Sequence, residues 1–228
     1  MTSFDIISDL HLSSEDEFSW EGKATSLFCI VAGNISSDLD VVQQVLTYLS
    51  TFYQGVFYID GNVEHDIVEN KEKRISELTK IIRKINKTVY LHDNVIIVNG
   101  VALVAINGWY GNTNVLLPFD DLRIAAYRTE DMAYLQSTIK KLQLHLEVSN
   151  ILVISNCVPD KNLFFGEDEH ITDTMSPSIC LMSDTEKKVK HWVFGGDKMA
   201  DAILNGIRFV SNPCDTSMPY WAKRIEID

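Results

Sequence analysis

The sequence predicts an α/β layered domain containing at least one largely parallel sheet, and three observations carry that expectation. Short apolar runs rich in β-branched and aromatic residues alternate with stretches of helical periodicity along the chain. Five of the runs finish in a short polar or glycine-bearing loop, as strands do when their carboxyl ends line a crevice. At 228 residues and 46% hydrophobic composition, the chain can bury one sizeable core and is read as a single domain, 1–228.

The elements follow in order. Phe4 to Ile7, Leu27 to Ala32 and Val56 to Ile59 read as strands, and the stretch from Leu39 to Phe52 between the last two is helical. That helix aligns Val42, Val45, Leu46, Leu49 and Phe52 on one stripe, with Asp38 placed to cap it. A second helix over Glu72 to Asn86 presents Ile75, Leu78, Ile82 and Ile85. Val95 to Val98 and Val101 to Ile106 flank Asn99-Gly100, a dipeptide suited to the two positive-φ positions of a type I′ turn, which makes this step an antiparallel hairpin. A third helix is expected from Thr129 as N-cap, presenting Met132, Leu135, Ile139 and Leu142. Ile151 to Ile154, Trp192 to Phe194 and Ile207 to Val210 complete the strands, while the acidic, weakly patterned stretch 159–185 reads as an irregular insertion.

Composition narrows the function. The net charge of −12 opposes nucleic-acid backbones, whose affinity rests on Lys and Arg, and no clear basic patch offsets it. The acidic runs at 15–17 and 167–169 read as solvated loops. Neither a membrane-length apolar run nor a leader-like N-terminus is present, so no membrane partner is expected. Cys29, Cys157, Cys180 and Cys214 are scattered without a C-x-x-C pair, which suits reduced thiols in a cytoplasm.

The strand-end loops are Ser8-Asp9-Leu10-His11, Gly33-Asn34, Gly61-Asn62, Ser155-Asn156-Cys157 and Gly195-Gly196-Asp197-Lys198. Their order and spacing resemble the motifs of the calcineurin-like metallophosphoesterase family: D-x-H, G-D-x-x-D, G-N-H-E/D, a T-H-H-x-P type segment and G-H-x-H. The chain supplies Asp9-Leu10-His11, Gly33-Asn34-Ile35-Ser36-Ser37-Asp38, Gly61-Asn62-Val63-Glu64, Ser155-Asn156-Cys157-Val158-Pro159 and Gly195-Gly196-Asp197-Lys198 in their places. The resemblance covers nearly the whole chain and extends to Asn107-Gly108-Trp109-Tyr110 and Val210-Ser211-Asn212-Pro213. It implies a layered α-β-β-α sandwich with mixed sheets. Small members with this layout are often phage-encoded, which makes a viral source, and a host cytoplasm, an expectation.

Family chemistry needs two divalent ions about 3.5–4 Å apart, bridged by a carboxylate. By the resemblance, one ion would fall to Asp9, His11 and Lys198, and the other to Asn62, Asn156 and Gly196. Asn34 stands where the bridging Asp belongs, and its amide lacks the charge that offsets repulsion between dications. Val63 stands at the proton donor's position and cannot donate. An ammonium repels a metal rather than ligating it, so Lys198 is expected to pair with Asp9.

The site therefore reads as vestigial, with no catalytic residue, metal or cofactor assigned. Asp9, His11 and Asn62 each also have an ordinary hydrogen-bonding role open to them. Asp197, Glu64, His65, Asp66 and Cys157 are nearby candidates for a rearranged metal site. Three functions compete: a protein-binding, adaptor or scaffold pseudoenzyme, a residual metal-dependent phosphoesterase, and a nucleotide or small-ligand sensor. For the first, a protein partner would meet Leu163, Phe164 and Phe165 if those side chains form an exposed patch rather than packing on the core. Tyr220 and Trp221 are expected to be buried on a C-terminal strand.

Overall fold

The computed structural model of the chain describes residues 1–65, 71–109, 118–160, 163, 187–196, 198–214 and 220–228, with backbone only at 118–121. Eleven strands and four helices occur among them. The first part of the chain gives β1 (Thr2–Ile7), β2 (Phe28–Ala32), α1 (Leu39–Leu49), β3 (Gly55–Ile59), α2 (Asn62–His65), α3 (Lys71–Ile82) and β4 (Thr88–Tyr90). There follow β5 (Val95–Val98), β6 (Val101–Ile106), α4 (Pro118–Gln143), β7 (Asn150–Ser155), β8 (Val189–Phe194), β9 (Ala200–Leu204), β10 (Ile207–Ser211) and β11 (Lys223–Ile227).

Two mixed sheets form, in strand order β11-β1-β2-β3-β4 and β5-β6-β7-β8-β10-β9. Strands β1 to β4 run parallel with β11 antiparallel at the edge, and β6, β7, β8 and β10 run parallel between antiparallel β5 and β9. Parallel strands are covered on both faces, which is why β3, β6 and most of β7 are continuously buried rather than alternating.

Three apolar layers result. Phe4, Ile6, Ile30 and Ile59 of one sheet meet Leu103, Leu152, Val193 and Val210 of the other. On the outer face of the first sheet, the predicted stripes of α1 and α3 pack down through Val42, Val45, Leu46, Leu49, Leu78 and Ile82. On the outer face of the second sheet, Leu135, Ile139 and Leu142 of α4 cover Val104, Val153, Trp192 and Phe209. This is the expected α-β-β-α sandwich with mixed sheets. Burying each such side chain contributes roughly 1.5–3 kcal/mol against the entropy of ordering it.

Asp38 caps α1, its side chain accepting the Asp40 N–H, and Asn99 and Gly100 both take positive φ in the β5–β6 turn. Elsewhere the sequence misleads. The third helix begins at Pro118, not at Thr129, whose hydroxyl instead bonds back to the Ala125 carbonyl inside α4. The C-terminal strand starts only at Lys223, which leaves Tyr220 partly buried and Trp221 59% exposed. Most of the predicted insertion at 159–185 lies outside the described residues. Among the described residues, no helix is long and apolar enough to cross a membrane.

Candidate functional site

The loops leaving β1, β2, β3, β6, β7 and β8 meet at one end of the sandwich. Backbone bonds bring the first two of these segments together, Asp9 N–H to the Gly33 carbonyl at 3.1 Å and His11 N–H to the Asn34 carbonyl at 3.0 Å. Asp9, His11 and Asn34 all adopt positive φ, a conformation that costs non-glycine residues about 1–2 kcal/mol and is retained where surrounding bonds impose it. The close approach has a reason at Gly61 too. A Cβ there would lie 2.2 Å from Asn34 Oδ1 and 2.8 Å from Asn156 Nδ2, so only glycine fits.

Side chains then tie the loops. Asn34 Nδ2 donates to Asp9 Oδ1 at 2.8 Å, while its Oδ1 accepts the Val63 N–H at 3.1 Å. The other oxygen of Asp9 accepts the Gly196 N–H at 2.8 Å. Fully buried Asn156 repeats the pattern, donating to the Ala32 carbonyl at 3.1 Å and accepting from Asn62 N–H at 3.3 Å. Beneath them the carboxylate of Glu64 accepts from Asn34 N–H (3.0 Å), Ile35 N–H (2.5 Å) and Gly61 N–H (2.7 Å). Burial pushes the Glu64 carboxyl up, and those N–H groups pull against the rise.

The sequence-predicted vestigial positions are thus brought together, but in different roles. Asp9, Asn34, Val63 and Gly196 form one hydrogen-bonded set and Asn62 with Asn156 a second, the two joined along the chain at Asn62-Val63. His11 lies at the rim, 4.0 Å from Asp9 and half exposed. Lys198 is exposed, and the Asp9 carboxylate it is expected to meet accepts from Asn34 Nδ2 and Gly196 N–H. Glu64, His65 and Cys157 do not assemble into a rearranged ligand set. Glu64 is held by backbone N–H groups, His65 bonds Asp60, and burial keeps the Cys157 thiol protonated. Asp66 and Asp197 lie outside the described residues.

Among the described residues, the donor set does not fit a pair of divalent ions. Among the described residues, no three His, Cys, Asp or Glu side chains converge on one point. The bridging position offers Asp9 an N–H rather than a charge, and each oxygen of Asp9 already accepts from a protein donor.

Sequence reasoning missed a second polar cluster beside the crevice. Asp60, at the end of β3, pairs with His65 Nε2 and accepts the Tyr90 hydroxyl at 2.7 Å. Burial works against its charge, but His65 and Tyr90 outweigh it and hold the Asp60 carboxyl well below the usual carboxylate range. Lys71 reaches over the rings of Tyr127 and Trp109, 4.1 and 5.5 Å from their centroids. Asp131 of α4 accepts the Gly108 N–H at 2.8 Å. Leu163 is buried against the α4 layer and cannot serve as an exposed contact, and Phe164 and Phe165 lie outside the described residues.

Comparison with known proteins gives the fold and nothing finer. No family profile matches the chain, and no curated protein matches its sequence. Solved structures do match. A phosphopantetheinyl hydrolase from Mycobacterium tuberculosis superposes with a TM-score of 0.71 at 15% identity, over 100% of this chain and 96% of that one. A Thermus thermophilus structure gives 0.56 at 9% identity, over 93% and 89% of the two chains. A candidate 5′-nucleotidase from Staphylococcus aureus gives 0.55 at 11% identity, over 93% of this chain and 48% of that one.

Proposed function

We propose that this chain, whose fold is that of metallophosphoesterase-type hydrolases, is a catalytically inactive member of that structural class that works as a protein-binding, adaptor or scaffold module. What supports the reading is the state of Asp9. Its two oxygens accept from Asn34 Nδ2 and Gly196 N–H, so the family's first ligand is engaged with protein donors. Binding two dications would require breaking these bonds, with an amide where the bridging charge should be. Val63 adds that no proton donor stands at the family's general-acid position.

A residual phosphoesterase remains the rival, favoured by His11, which keeps its place beside Asp9 at 4.0 Å with an exposed ring. One experiment separates the two. The protein is purified without chelator, incubated with Mn²⁺, desalted and assayed by elemental mass spectrometry and on a chromogenic phosphodiester. Near-zero metal with no turnover is expected, and pull-downs would then seek the partner. About two ions per chain, with a turnover abolished in Asp9→Ala and His11→Ala, would overturn the proposal.

A further inference from the structure

The end of the sandwich opposite the crevice has a character of its own. The parallel strands begin there, so the crossovers carry the C-termini of α3 and α4 to that same end. At this base the chain passes from α4 into β7 through Leu144-His145-Leu146, and the two leucines are thrown outward, 84% and 100% exposed. Looseness is not the cause. Leu142 and Val148 on either side are buried, and His145 N–H and Val148 N–H close the turn onto the Leu142 and His145 carbonyls. Lys188 Nζ clamps the same two carbonyls at 3.3 and 2.8 Å.

The base also gathers charge of one sign. Lys140 and Lys141 close α4, Lys187 and Lys190 lead into and begin β8, and Lys84 and Lys87 lie between α3 and β4; all six are exposed. Three separate stretches of chain supply them, which is why no basic patch stands out in a sequence of net charge −12. Glu147 and Asp228 stand among them and oppose. Asn150 bonds the Asp228 carbonyl and Thr2 pairs with Ile227, so exposed Met1 lies at this end as well, and exposed Leu27 leads into the neighbouring β2. Lysines at a helix C-terminus answer its dipole, but that accounts neither for those before and on β8 nor for two bare leucines in a rigid turn.

We propose that this base is a docking surface for an anionic lipid bilayer: Leu144 and Leu146 enter the headgroup region while the lysines meet lipid phosphates. Apolar insertion and attraction to anionic headgroups add in such peripheral binding. A nucleic-acid duplex would use the lysines alone and leave the leucines without a role. Docked this way, the chain crosses nothing and its crevice faces away from the bilayer, so the surface does not depend on what the crevice binds.

The full chain is sedimented with vesicles of phosphatidylcholine alone, or with about 30% phosphatidylglycerol, at about 0.1 M salt. Apparent affinity should be at least about tenfold higher on the anionic vesicles, and about 0.5 M salt should remove most of the difference. Leu144→Ser with Leu146→Ser should weaken binding about tenfold, and Lys140→Glu with Lys141→Glu about a hundredfold. All four positions are exposed, so the thermal midpoints of both variants should match wild type; should either variant not fold, the lipid and salt dependence of the wild type still decides. Equal retention on neutral and anionic vesicles, or none on either, would overturn the proposal. So would a leucine variant that binds as wild type does, or one that keeps full affinity for a short DNA duplex bound as tightly as the vesicles, since either result would leave the lysines alone as the contact.

Discussion

Asn34 shows how much one amide can do where a carboxylate is expected. It donates to Asp9 and accepts from Val63 N–H while 7% exposed, so Asn34→Ala removes a donor from a buried carboxylate and an acceptor from a backbone N–H at once. Urea unfolding at pH 7.5 should register a loss of about 1–3 kcal/mol. Asn34→Asp should cost more in chelator, because it sets a second negative charge within hydrogen-bond reach of Asp9 and removes the donor between them. An Asp variant as stable as wild type would mean that a proton or cation sits in the gap. Asp131 gives a change of opposite sign. Its carboxyl is raised to about 6 in the fold, so its ionised form penalises folding at neutral pH, and the penalty disappears as pH falls from about 6 toward 3.8. Asp131→Asn should therefore stabilise the protein at pH 7.5, by up to about 3 kcal/mol, and have little effect near pH 4.

At the scale of elements, the strand-end loops work as one unit because glycines let them touch. Gly61→Ala would drive a Cβ into Asn34 and Asn156, and Gly195→Ala would meet the Asn156 carbonyl at 2.7 Å. Each should lower stability by about 2 kcal/mol or more, seen as a lower thermal midpoint, whereas Gly22→Ala, with open space around it, isolates the cost of positive φ alone. Where element chemistry is local, the sequence is legible: Asp38 caps α1, and Asn99-Gly100 turns β5 into β6. The same Asn-Gly signal at 205–206 turns β9 into β10 and was there to be read, but β9, with two alanines, an aspartate and one β-branched residue, does not stand out as a strand. The start of α4 was missed because the residues after Pro118 carry no apolar period, although Pro itself suits a helix's first position. The crevice loops were legible from their order, yet the Asp60–His65 pair and Asp131 were not. In sequence Asp60 and Asp131 look like solvated charges and His65 stands out only as a candidate metal ligand, and only the fold buries them together.

At the scale of the molecule, three apolar layers leave the two sheets joined at the crevice end by polar bonds. Asn156 reaches from β7 of one sheet to Ala32 of the other, Gly196 from β8 to Asp9, and Asn212 from β10 to the Ile6 carbonyl at 2.8 Å. These crossings are made by neutral amides and backbone N–H groups, and they need no ion to close them. Stability should then be indifferent to chelation. A metal bound only to the native state at a hundredfold its Kd would add about 2.7 kcal/mol, worth roughly 5–10 °C in a chain of this size. Thermal unfolding of protein purified without chelator should change by less than about 1 °C when EDTA is added. A fall of several degrees, reversed by Mn²⁺, would mean that an ion does span the sheets and that the hydrogen bonds between Asn34, Gly196 and Asp9 give way to admit it.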